Sequence, residues 1–128
     1  MKTFLRYSVI IILWSIITFS CKKNETGGDA TIAAFPKHHS KSVKGATMYV
    51  KFGTEELPSN PTTNYDLKIV GESNEDHVHI EGLRYGKYYL YAEGYDSSIS
   101  AIVKGGVAAK IKWSERKEEM DIDVPVTE

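Results

Sequence analysis

The chain has 128 residues, enough for one domain, with 16 basic and 17 acidic side chains, a net charge of −1. The charges are interspersed rather than gathered into a basic stripe, which argues against a nucleic-acid ligand. A single cysteine cannot close an intramolecular disulfide, so a fold of this size has to rest on its apolar core.

Residues 1–20 differ in composition from everything after them. Lys2 and Arg6 precede the apolar run Val9-Ile10-Ile11-Ile12-Leu13-Trp14-Ser15-Ile16-Ile17-Thr18-Phe19, and then come Ser20 and Cys21. A bilayer span needs ~20 apolar residues, so this shorter run suits the hydrophobic region of a secretory signal. The sequence therefore predicts a signal peptide at 1–20. Its removal leaves 108 residues with 14 basic and 17 acidic groups. Residues 21–29 contain no apolar side chain after Cys21 and include Gly27 and Gly28, which predicts a flexible tether.

Thr18-Phe19-Ser20-Cys21 resembles the lipobox of bacterial lipoproteins, and its looser form, followed by Lys22-Lys23, is similar to those of Bacteroidetes-type envelopes. The resemblance implies that the Cys21 thiol carries a diacylglycerol and becomes the new amino terminus. It also implies a lipid anchor in a cell-envelope membrane, expected to be the outer membrane on its periplasmic or surface side. The alternative is an uncleaved membrane anchor with an incidental cysteine.

From residue 30 onward, short apolar segments alternate with turn residues, and no window sustains a helical period. Strands are expected at Thr31–Phe35, closed by Pro36, and at Ala46–Phe52, with Met48, Val50 and Phe52 on one face. Pro58, Asn60 and Pro61 make 53–64 a long loop. Further strands are expected at Tyr65–Gly71 and His77–Ile80, then after Gly86 with Tyr88, Leu90 and Ala92 inward. Ile99–Val103, Val107–Trp113 and Met120–Val124 complete the set, with Gly105-Gly106 as a hairpin turn between two of them. Seven to eight short strands in 30–128 predict an all-β sandwich rather than a barrel or an α/β fold.

Gly45-Ala46-Thr47-Met48-Tyr49-Val50, Gly82-Leu83, Gly86-Lys87-Tyr88 and Gly94-Tyr95-Asp96 together resemble carboxypeptidase-regulatory-like and transthyretin-like (prealbumin-like) domains. The resemblance implies a single Greek-key, immunoglobulin/prealbumin-like sandwich that serves as a non-catalytic accessory or binding module. Cna-B-type adhesin domains share a similar Gly-x-Tyr-x-Leu strand. The Lys–Asn cross-link found in some of them is not expected here, because Met120–Glu128 contains no Asn.

The sequence has no Gly-x-Ser-x-Gly nucleophile motif and no phosphate-cradling glycine loop, so it predicts neither an enzyme nor a cofactor. Tyr89 and Tyr91 alternate with the inward Tyr88, Leu90 and Ala92, so they are candidate ligand-binding residues. With the 53–64 loop they could hold a glycan or an envelope protein partner, or simply pack across strands. His77 and His79, two apart on a strand, share a face and could meet one metal ion. His38 and His39 could add a ligand there if the first turn folds near them, and Asp76 or Glu81 could supply oxygen. The alternative is that both are ordinary solvated residues opposite Val78 and Ile80.

Overall fold

The structure is a computed structural model and describes residues 26–128. The expected signal segment, Cys21 and the first residues of the expected tether lie outside the described residues.

Eight strands form two sheets packed as a β-sandwich: β1 (Thr26–His38), β2 (Lys41–Ser42), β3 (Thr47–Phe52), β4 (Leu67–Val70), β5 (Val78–Leu83), β6 (Gly86–Asp96), β7 (Ala101–Ile111) and β8 (Glu119–Pro125). In the first sheet, β1 pairs antiparallel with β2 and β5 and parallel with β8. The second runs β4-β3-β6-β7, all antiparallel. Hairpins join β1 to β2, β3 to β4 and β6 to β7, and the other four connections cross between the sheets.

The period-two pattern is what closes the core. Ile32 and Ala34 on β1, Met48 and Val50 on β3, Ile80 on β5, and Tyr88, Leu90 and Ala92 on β6 are all fully buried between the sheets. Each large side chain removed from water contributes ~1.5–3 kcal/mol, which is how a domain without disulfides reaches net stability. Tyr88 places its hydroxyl at the core's edge, where it donates to the Arg84 carbonyl.

Two differences from the sequence expectations matter for function. First, β1 begins at Thr26, inside the expected tether, and it runs straight through Pro36 to His38. Pro36 is tolerated because its carbonyl, accepting from Val43 N–H at 2.9 Å, faces away from β8. Its missing N–H therefore lies on the side where β1 exchanges β5 for β2, and no ladder bond is lost. Second, Gly105 and Gly106 are not a hairpin turn but the middle of β7, opposite Ala92 and Tyr91. A Cβ on Gly105 would sit 2.3 Å from the Pro125 carbonyl oxygen, and one on Gly106 2.6 Å from the Tyr89 ring. These glycines serve close approach, and the β6–β7 turn falls at 97–100 instead.

Candidate functional site

Three surfaces hold the side chains that could do chemistry. Tyr89 and Tyr91 lie on the outer face of the second sheet, as their alternation with Tyr88 and Leu90 requires. Tyr91 sits directly opposite Tyr49 on β3, with ring centroids 6.4 Å apart, and Tyr65 packs on Tyr49 at 5.2 Å. The 53–66 loop folds back over this face. Asp66 accepts from Phe52 N–H at 2.8 Å, and Lys51 Nζ donates to Asn64 Oδ1 at 3.1 Å. Pro58, Pro61 and Tyr65 close down on Tyr89 and Tyr91, leaving no cavity that admits a water molecule. Desolvation pushes both tyrosine hydroxyls above their ordinary pKa. The loop and the tyrosine pair are thus brought together, but as a packed aromatic layer; a glycan stacking on these rings would have to displace the loop.

His77 and His79 lie on the outer face of the first sheet, opposite the buried Val78 and Ile80. Their Nε2 atoms are 3.1 Å apart. His77 Nδ1–H donates to Asp76 at 2.9 Å; this bond holds the Asp76 carboxyl below its ordinary pKa and raises that of His77. Phe35 stacks on His77 at 5.2 Å, and His79 Nδ1 is 4.0 Å from Glu119. The pair could hold one ion through its two Nε2 atoms, with Asp76 orienting His77. Its weakness is the third ligand: among the described residues, no further His, Cys, Asp or Glu joins the pair closely enough to complete a set of three.

His38 does not supply that ligand. Period-two alternation along β1 turns it to the inner side, with Ile32, Ala34 and Pro36, whereas Phe35, the β1 residue that touches His77, points outward. It forms a third constellation, at the pole of the sandwich where β1 ends. His38 is 3% exposed, and its Nδ1 is 2.7 Å from Asp96 Oδ2 at the end of β6. Ser98 N–H and Oγ–H also donate to Asp96, at 2.9 and 2.6 Å. These bonds, Ser98's first and then that from His38, hold the Asp96 carboxyl at a pKa of about 2. An ionised carboxylate only accepts, so Nδ1 of His38 carries a proton; in the neutral ring Nε2 then holds the lone pair. That Nε2 is buried with no hydrogen-bond partner among the described residues. Asp96 also lines, with Ser42, Val43, Lys44, Ser73 and Tyr95, an open groove of about 490 Å³.

The opposite pole is where β1 enters. Tyr85 and Trp113 stand out from it, 51% and 59% exposed, with rings edge to face at 4.8 Å. Arg116 lies over the Trp113 ring at 4.0 Å and also donates to the Trp113 carbonyl. The 3₁₀ turn Trp113–Glu115 is pinned by Glu115, which accepts from Lys112 N–H at 2.9 Å.

Compared with protein-family models, curated proteins and solved structures, the chain matches none of them. Among the described residues, no helix is long and apolar enough to cross a membrane.

Proposed function

We propose that this protein is a lipid-anchored module of a bacterial cell envelope, of carboxypeptidase-regulatory-like or prealbumin-like kind, acting by binding rather than catalysis. The observation that carries the reading is the shortness of the link between Cys21 and the sandwich. β1 starts at Thr26, five residue steps after Cys21, so a lipid on Cys21 would hold the entry pole within ~18 Å of the bilayer.

That pole has the surface chemistry such a position calls for. Tyr85 and Trp113 present amphipathic rings, and Arg84, Lys112, Arg116 and Lys117 supply positive charge along the same stretches of chain. Aromatic rings of this kind settle at the headgroup level, and basic side chains are drawn to anionic lipid surfaces. The other pole, with the His38–Asp96 pair and its groove, then faces away from the membrane and is free to meet a partner.

Cys21→Ala tests the reading. In cells fed a labelled fatty acid, the variant should take up no label and accumulate as the unprocessed precursor. Normal labelling and processing would overturn the anchor.

A further inference from the structure

We propose that the far pole binds a divalent transition-metal ion through His38 Nε2, His39 and Glu128, with Asp96 as the carboxylate that orients His38. His38, His39 and Glu128 each bring one ring nitrogen or carboxylate oxygen to within 4.8 Å of those of the other two.

The fold brings them together from two segments far apart in sequence. His39 and Ser40 both take positive φ, 46° and 66°, which makes the tight two-residue turn between β1 and β2. That turn sets the His39 ring 4.2 Å from the ring of His38. The chain after β8 is tied down on both sides. Val126 N–H donates to the Lys37 carbonyl at 3.0 Å, and Lys104 and Thr127 exchange bonds at 2.8 and 2.9 Å. Glu128 follows at once and so arrives beside the turn.

The independent sign of a ligand is His38 itself. A buried ring nitrogen with a lone pair and no partner is costly to leave unmade, and native proteins rarely keep one. The other ring nitrogen donates to a carboxylate, the arrangement that fixes the tautomer of metal-bound histidines and strengthens them as ligands. Two imidazoles and one carboxylate form a donor set for zinc or a similar borderline ion, with a fourth position open to water or a partner's side chain. Magnesium, which prefers oxygen ligands, is not suited to it. His39 and Glu128 are exposed, so they can close on the ion without repacking the core.

The test is calorimetric titration of zinc into the full chain in detergent, carrying Cys21→Ser so that no thiol competes. A single zinc ion should bind, and magnesium should not. His39→Ala and Glu128→Gln, both surface changes, should each weaken zinc binding by ~10-fold or more. Asp96→Asn, which removes the orienting charge, should weaken it by ~10–100-fold. His77→Ala combined with His79→Ala should leave it unchanged. Absence of zinc binding would overturn the proposal. So would binding that survives His39→Ala and Glu128→Gln, or binding lost with His77 and His79, which would assign the ion to the outer face of the first sheet. Zinc binding here does not depend on the lipid, so its loss and the loss of fatty-acid labelling are separate outcomes.

Discussion

Tyr88 is the largest fully buried side chain of the core, and its hydroxyl should make the domain sensitive to alkali. Its ring is fully buried, meets Phe52 edge to face at 5.6 Å, and donates its hydroxyl proton to the Arg84 carbonyl. Burial pushes the hydroxyl pKa up to about 12 from the ordinary 10. A group with a raised folded pKa contributes stability that is complete below the unfolded value and lost as pH rises through the folded one. The domain should therefore lose denaturant stability as pH rises from about 10 to 12, with Tyr89 and Tyr91 adding to the trend in the same direction. Tyr88→Phe should lower neutral-pH stability by ~1 kcal/mol through the lost hydrogen bond and flatten the alkaline slope. Urea titrations at neutral and alkaline pH measure both effects; an unchanged alkaline slope in the variant would show that Tyr88 does not carry it.

At the scale of elements, the Tyr89–Tyr91 face behaves as structure. Both rings are half-buried beneath the 53–66 loop, and Tyr89 rests on the bare backbone of Gly106. Tyr89→Ala with Tyr91→Ala should cost on the order of 2 kcal/mol, less than the ~3–5 of a fully buried aromatic, and lower the melting temperature. An unchanged melting curve would mean the loop does not rest on these rings. Gly106→Val should also destabilise, by ~1–3 kcal/mol, because its side chain would run into the Leu90 carbonyl at 2.5 Å as well as the ring.

Most of this level was legible in the sequence. The alternation of Met48 and Val50, of Val78 and Ile80, and of Tyr88, Leu90 and Ala92 fixed strand faces correctly, because side-chain period is local. What was not legible depends on partners distant in sequence. Gly105-Gly106 has the composition of a turn, and only the Pro125 backbone and Tyr89 ring lying against it explain its place in mid-strand. Pro36 has the composition of a strand end, and only the exchange of β5 for β2 beside it lets β1 continue. That second point hid the far-pole site. Once the strand passes Pro36, the period-two rule places His38 inward with Ile32 and Ala34; once it stops there, His38 falls in a loop.

For the whole molecule, the length and direction of β1 organise the proposed function. Thr26 and Ala30 both pair with Leu83, and from Ala30 the strand runs ~26 Å to His38 at strand rise, so the chain enters at one pole and the His38–Asp96 pair sits at the other. A lipid on Cys21 would therefore set Tyr85, Trp113 and Arg116 against the headgroups while the metal-binding pole reaches away from them. The arrangement is open to a direct spectroscopic reading, because the sequence contains two tryptophans and one of them, Trp14, lies in the proposed signal segment. In the processed chain, all tryptophan emission comes from Trp113. In vesicles containing anionic lipid, emission from the lipidated protein should shift to shorter wavelength and be quenched by bromine placed on the upper acyl chain. Arg116→Ala with Lys117→Ala should weaken that quenching as salt does, since both remove the charge attraction that falls off within a Debye length. If the domain instead hangs free on its tether, Trp113 stays in water: its emission should be the same with and without anionic lipid in the vesicles, and brominated lipid should leave it unquenched.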